Sequence, residues 1–300
     1  MAVTLLAVIV ALAIGHLAPA IAAGLRQFGW FRSWLQWLNA QFPEGSFWRG
    51  PYGIALALVV PLLVVGLLQV ALDQPLWGFV GLLFDIVVLF WCWGPRDLDV
   101  DVTAVLEAPD ANARRQAAAR LWPPGAEAQM EGGALIEAVF RNALRRWFGV
   151  LFWFCVLGPF GALLYRLSAL AAESDADALP FDTREGARGW LAVLEWPVAQ
   201  LMTLSLALVG NFDSVMAAWR EDGAFGLRSR LLATAARASV RSEIADEVAD
   251  YTESGIPAST ALAEAFGELP ELRDAMSLVW RVLVLWLAVL ALFVLAGFVS

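Results

Sequence analysis

Six stretches of this 300-residue chain run for about twenty residues with no more than one charged side chain each, the length a helix needs to cross about 30 Å of hydrocarbon. They fall at 2–24, 51–72, 75–93, 147–167, 190–211 and 279–299. In lipid every backbone N–H and C=O must find its partner within the protein, so runs of this length are expected to be helices. The expected fold is therefore all-α: a polytopic integral membrane protein with about six transmembrane helices, a single membrane domain over 1–300, and amphipathic helices in its cytoplasmic connections. Apolar residues make up 60% of the chain and charged residues 16%, against about 45–50% and about 25% in soluble domains, and the mean hydropathy is +0.66. A soluble globular domain and a disordered chain are both excluded, because so much apolar surface must be buried in protein or lipid. The net charge of −9 argues against nucleic acid as a partner, since that affinity comes from neutralising phosphates. Cys92 and Cys155 lie in separate apolar runs, without the spacing of a zinc or redox pair.

The fifth run is the least uniform, because Glu195, Pro197 and Gln200 interrupt it and would suit a helix facing a bundle interior. The first has no basic residue before it and exceeds the roughly 7–15 apolar residues of a signal peptide, so it reads as an uncleaved anchor. Arginine is distributed unevenly among the connections: three in 25–50, seven in 94–146 and six in 212–278, against none in 73–74 and two in 168–189. Positive charge is retained on the cytoplasmic side. That places the two long connections in the cytoplasm and both termini outside.

Neither long connection reads as a separate domain. In the first, ALIEAVFRNALRRW sets Leu135, Ile136, Val139, Phe140 and Leu144 on one helical face and Glu137, Arg141, Arg145 and Arg146 on the other. This is the pattern of a helix lying in the membrane interface. In the second, twelve acidic residues face six arginines, and a helix is predicted at about 226–252. Its basic residues come early (Arg228, Arg230, Arg237, Arg241) and its acidic ones late (Glu243, Asp246, Glu247, Asp250), the order that the helix dipole disfavours. Another element should compensate it, and the arginine-rich helix at 141–146 is the candidate.

Polar groups inside apolar runs are expensive, which makes His16, Asp85, Glu195, Gln200 and Arg281 candidates for function. Arg281 lies near the start of the last run, where its side chain can snorkel to the headgroups. Asp85 suits a neutral carboxyl packed between helices, or a proton relay with His16. His16 is the one histidine of the chain and cannot build a metal site by itself. Glu195 is expected to form a structural pair with Arg166. The carboxylates of Glu243, Asp246, Glu247 and Asp250 share one helical face and are a weak candidate for a divalent cation; an arginine-paired or solvated face is the simpler reading. No phosphate loop, dinucleotide fingerprint, zincin motif or nucleophile elbow occurs, so no catalytic residue, metal or cofactor is assigned.

Three segments carry a resemblance: EAVFRNALRRWFGVLFWFCVLGPFGALLYR at 137–166, LEWPVAQLMTLSLALVGNFDSVMAAW at 194–219 and RVLVLWLAVLALFVLAG at 281–297. Together they resemble the AmpE family, inner-membrane proteins associated with β-lactamase induction in Gram-negative bacteria. AmpE is in turn similar to the CobD/CbiB family of adenosylcobinamide-phosphate synthases, ATP-dependent membrane enzymes of cobalamin assembly. In those enzymes the helix before the LFW segment carries a glutamate, a Glu-Asn pair and an aspartate. Aligned on Leu151, Phe152 and Trp153, this chain keeps Glu137 and Asn142 and has Arg141 and Arg145 in place of the other two acids. The enzymes' Asn-Thr-x-Asp element is here Leu167, Ser168, Ala169 and Leu170; their asparagine before tryptophan is Glu195; their Pro-Ala-Arg-Leu is Val198, Ala199, Gln200 and Leu201.

The resemblance implies a scaffold kept and an acidic site exchanged, hence a non-enzymatic inner-membrane regulator of the AmpE type that modulates β-lactamase induction in response to cell-wall or envelope state. Its implied partners are membrane lipids, a muropeptide-recycling amidase and the muropeptide permease. Two alternatives stand beside it: a CobD/CbiB-type ligase joining a nucleotide-activated carboxylate to an amino alcohol, and a small transporter or lipid-handling protein built around Asp85, Glu195 and Gln200. A ligand site is expected at the cytoplasmic end of the fourth run, lined by Glu137, Arg141, Asn142, Arg145 and Arg146. Guanidinium groups there suit a lipid headgroup, a nucleotide phosphate or a peptide carboxylate, with positive-inside anchoring as the simpler reading.

Overall fold

The computed structural model describes residues 2–17, 24, 26–72, 78–94, 96–123, 125–175, 177–222, 230–253 and 269–296. The described residues are all-α: α1 (Ala2–Leu17), α2 (Gly29–Gln41), α3 (Ile54–Leu72), α4 (Gly78–Cys92), α5 (Leu98–Leu106), α6 (Ala111–Ala118), α7 (Gly132–Ala143), α8 (Gly149–Leu157), α9 (Pro159–Ala172), α10 (Phe181–Val209), α11 (Phe212–Asp222), α12 (Leu231–Glu253) and α13 (Pro270–Leu295). A π-helical turn over Leu144–Phe148 joins α7 to α8. Three of these helices, α3, α10 and α13, are long and apolar enough to cross a membrane, while Thr4–Gly15 and α4 are apolar but shorter. The end of the first predicted span, beyond Leu17, lies outside the described residues. The chain divides into two compact units, one of 1–97, 145–196 and 290–300, the other of 98–144 and 197–289.

In the first unit α4 packs on α1 and α3, and α9 packs on α3, α4 and α8. The predicted span 147–167 is not one helix here. It breaks at Gly158, whose φ of 67° lies in the region that favours glycine, and Pro159 opens a new helix at the position where a missing N–H costs nothing. The arms α8 and α9 then run antiparallel as a hairpin: Gly161 faces the Trp153 carbonyl, Gly149 faces the Tyr165 ring, and Arg145 reaches Glu173. A Cβ on Gly149 would fall 2.1 Å from Cζ of Tyr165, so hydrogen at that position lets the ring lie on the α8 backbone. At the tip, Gln69 of α3 serves both arms. Its amide nitrogen donates to the Leu157 carbonyl at 3.1 Å and its amide oxygen accepts from the Phe160 N–H at 3.0 Å, satisfying two groups that helix ends leave orphaned.

Two buried arginines close the C-terminal end of α4. Arg26 donates to the carbonyls of Phe90 (2.9 Å) and Gly94 (3.3 Å) and lies over the Phe90 ring. Arg166 donates to the Cys92 carbonyl at 2.6 Å and reaches the Arg146 carbonyl, which also accepts from the Gly94 N–H. Cations at a helix C-terminus match both its orphan carbonyls and its dipole.

In the second unit α12 packs on α7 and α11, and α7 packs on α5. Asp110 caps α6 by accepting from the N–H groups of Asn112 and Ala113, both at 2.8 Å, as an N-cap aspartate should. The apolar face of α7 is buried through Leu135, Ile136, Ala138, Val139, Phe140 and Ala143. Protein covers it, so the sequence pattern that suggested a membrane-interface helix is a core-facing one. The charge order of α12 is compensated on two sides. Arg237 pairs with Glu137 of α7 at 2.8 Å and Glu243 pairs with Arg281 of α13 at 2.9 Å. The α7 partner is thus an acid rather than the arginines that were expected, and Arg281 is held by a carboxylate.

Candidate functional site

The polar centre of the first unit stands at the open end of the α8–α9 hairpin. Arg145, in the π-helical turn before α8, donates from Nε to Oε1 of Glu195 at 2.8 Å and from Nη1 to Oε1 of Glu173 at 3.0 Å. One guanidinium therefore ties the start of α8 to the end of α9 and to the middle of α10. Exposure grades across the trio: the side chains of Glu195, Arg145 and Glu173 are 16%, 28% and 44% exposed. Burial alone would disfavour the charge on Arg145, but Glu195 and Glu173 outweigh it and hold the guanidinium protonated above its ordinary range. Glu195 was expected to pair with Arg166. It meets Arg145 because Arg166 is spent on backbone carbonyls, as described above.

Around this trio lie Tyr165, which is fully buried, and Trp190, whose indole donates to Ser168 Oγ at 3.2 Å. Trp153 donates to the Leu194 carbonyl at 3.1 Å, fixing α10 one residue before Glu195. Arg26 sits deeper, where burial and repulsion from Arg166 outweigh attraction to Asp97 and lower its guanidinium to about 10. Asp85 is half-buried in the middle of α4, and Gln200 is half-buried on α10 in the second unit. The side chain of His16 lies outside the described residues.

Of the predicted ligand set, Arg146 also lies in the first unit, where its backbone carbonyl accepts from Gly94 and Arg166, and Glu137, Arg141 and Asn142 lie in the second. The Asn142 amide donates to the carbonyls of Leu121 (2.8 Å) and Ala138 (2.7 Å), and Arg141 reaches the same Leu121 carbonyl at 3.4 Å. Both side chains thus hold the turn after α6 against α7. Glu137 is taken by Arg237. Between the starts of α7 and α13 and the face of α12 lies a cavity of about 380 Å³, with Ile136, Ile244 and Val248 as floor and Glu131, Arg241 and Glu271 at its edge. Of the four carboxylates proposed for a cation, Glu243 is committed to Arg281, and Asp246, Glu247 and Asp250 are exposed. Among the described residues no three His, Cys, Asp or Glu side chains stand close enough to hold a metal ion.

Sequence reasoning missed Gln69 and Glu173. Gln69 could have been found as the one amide in an otherwise apolar run. Glu173 carried no signal, since its role depends on the hairpin bringing residues 145 and 173 together.

Comparison with known proteins bears on these positions. A family model of the CobD/CbiB protein matches residues 4–225, which include Arg145, the whole hairpin and Glu195. The "Cobalamin biosynthesis protein CobD" of Stutzerimonas stutzeri (strain A1501) is 30% identical over 192 residues. That alignment covers 59% of this chain and 59% of the relative, so the chain spans about three-fifths of the length of the relative it matches. No solved structure matches. These matches overturn the assignment to the AmpE family and with it the reading as a β-lactamase-induction regulator. They also overturn the expectation of a non-enzymatic protein, for which the exchanged acids were the argument. One exchanged acid, now Arg145, faces Glu195, the acid that stands where the resemblance expected asparagine, so the charge introduced at 145 is compensated by an ion pair. The helices, the membrane-length apolar segments and the matched residues together place this multi-pass membrane chain in the CobD/CbiB family.

Proposed function

We propose that the chain is a membrane-embedded enzyme of cobalamin assembly, of the adenosylcobinamide-phosphate synthase type, which joins an activated carboxylate to the amine of an amino alcohol at the expense of ATP. The observation that supports this reading is the family match over 4–225, which includes the α8–α9 hairpin and the charged trio at its open end. The chemistry is amide formation: nucleotide activates the carboxylate, the amine attacks the acyl carbon, and the activating group leaves with its bonding electrons. Arg145, fixed by Glu173 and Glu195, presents a guanidinium of set orientation at a half-exposed position. A guanidinium so placed can hold phosphate or carboxylate oxygens through its remaining N–H groups. Glu195 and Glu173 keep that cation charged and aimed, which makes them positioning residues. The membrane topology belongs to the same proposal: α3 and α4 cross in opposite directions, and the α8–α9 hairpin enters and returns on one side.

The test is ATP turnover by the detergent-purified full chain, measured with a corrinoid carboxylate and an amino alcohol, each alone and both together. Turnover that requires both and falls at least about tenfold in Arg145→Ala, equivalent to about 1.4 kcal/mol in the barrier, is the expected result. Absence of turnover in every combination, from protein whose helical circular dichroism is intact, would overturn the proposal.

A further inference from the structure

The connection between the first two apolar runs contains α2, a helix whose apolar arc is wider than the protein covers. At about 100° per residue, Phe31, Leu35 and Leu38 form one stripe, and they are the buried residues of α2. Trp30, Trp34 and Trp37, spaced by four and three, form a second stripe beside it. Trp30 is 41% and Trp37 52% exposed, and the Trp34 and Trp37 rings stack at 5.1 Å with their planes 12° apart. The opposite side carries Arg32, Ser33 and Gln36, all exposed. An aqueous surface gives no reason for a ladder of tryptophans. At a bilayer interface, a ring with an apolar body and an N–H is at its most stable.

The position of α2 shows what covers the ladder. Trp34 Nε1 donates to the Ala57 carbonyl in the first turn of α3 at 3.1 Å, and Trp30 stacks on Trp91 in the last turn of α4 at 6.0 Å. The helix is thereby tied to the start of one apolar helix and the end of the next, which lie at the same side of the membrane. The helix α3 to which it is tied also carries exposed Val59, Val60, Leu63, Val64 and Leu67, a surface that only lipid suits in a membrane-crossing helix. On the polar side Arg32 pairs with Asp175 at 2.7 Å, two residues beyond Glu173.

We propose that α2 is an in-plane membrane-surface helix whose Trp30, Trp34 and Trp37 stripe sits in the headgroup boundary of the bilayer, with lipid as the occupant of its exposed apolar face. The ladder fixes the height of the membrane surface on this side. Because Arg32 links α2 to the segment that follows Glu173, the Arg145–Glu173–Glu195 trio lies beside the headgroups. This inference does not depend on the enzymatic reading.

The test is spin-label accessibility in the full chain reconstituted into phosphatidylcholine and phosphatidylglycerol nanodiscs. Trp37→Cys and Gln36→Cys are labelled separately, with the wild-type chain labelled in parallel to subtract any signal from Cys92 and Cys155. Lipid contact predicts that the label at 37 collides with oxygen in preference to a water-soluble nickel chelate and that the label at 36 shows the reverse. Preference for the nickel chelate at both positions would overturn the proposal. Dipolar broadening at 37, which would show a second copy of the chain on this face, would overturn it as well. Should either cysteine variant lose its helical spectrum, Trp30→Cys and Ser33→Cys report the same two faces about two turns and one turn earlier.

Discussion

Arg145 makes its two ion pairs under different conditions, and the difference is measurable. Glu195 is the more buried partner, so removing the guanidinium takes a charged partner from a desolvated carboxylate. Arg145→Ala should cost about 1–3 kcal/mol of stability. Glu173 is nearly half exposed, and Glu173→Ala should cost less than about 1 kcal/mol. A double-mutant cycle of Arg145→Ala with Glu195→Ala, read by denaturant unfolding in detergent micelles, should show a coupling of at least about 1 kcal/mol, since contacting residues do not add. Additive costs would show that the pair contributes no net interaction. Gln69 makes a sharper case, because it satisfies one carbonyl and one N–H at the hairpin tip. Gln69→Leu keeps the volume and loses both bonds, and should destabilise by about 1–3 kcal/mol. Gln69→Glu keeps only the acceptor and should recover part of that loss at low pH, where the protonated acid can again donate to the Leu157 carbonyl.

Among elements, the apolar runs at 51–72, 75–93, 190–211 and 279–299 were legible because hydrophobic length is a property of the segment itself; α3, α4, α10 and α13 occupy them with shifted ends. The run at 147–167 was misread for a physical reason. Two short antiparallel helices joined by Gly-Pro have the same mean hydropathy as one long helix, and only the Gly158–Pro159 break separates the cases. Amphipathicity in α7 was also legible, but what covers its apolar face is a tertiary fact: α12 and α5 pack there, whereas the ladder of α2 is left open. The candidate site was half legible. Arg145 and Glu195 were each named, yet their pairing required the fold of the hairpin. Phe140 tests the reading of α7. It is 1% exposed in the second unit, so Phe140→Ala should cost about 3–5 kcal/mol and lower the thermal midpoint in detergent. A neutral result would show that this face meets lipid or detergent and not packed protein.

For the whole molecule, the hairpin changes how the membrane sides are counted. Alternation across six apolar runs places the connection after α4 and the connection after α9 on opposite sides of the membrane. If α8 and α9 enter and return together, the two connections share a side. The geometry of the first unit supports the second count: Gly94, just beyond α4, donates to the Arg146 carbonyl before α8, and Arg145 beside it pairs with Glu173, just beyond α9. Groups within hydrogen-bond reach cannot lie on opposite faces of a 30 Å core. Arg96 and Asp177 are exposed just past these points. Arg96→Cys and Asp177→Cys, placed singly and treated with a membrane-impermeant maleimide, should react from the same face of sealed vesicles. Protection of both should likewise appear when the vesicles are turned inside out. The wild-type chain gives the background from Cys92, which is buried, and Cys155, which is half-buried. Labelling of the two variants from opposite faces would restore a through-going fourth crossing and remove the hairpin from the membrane topology. Labelling from one face leaves the Arg145 trio, α2 and the closed end of α4 together at a single membrane surface, the place at which the proposed reaction would take up a water-soluble nucleotide.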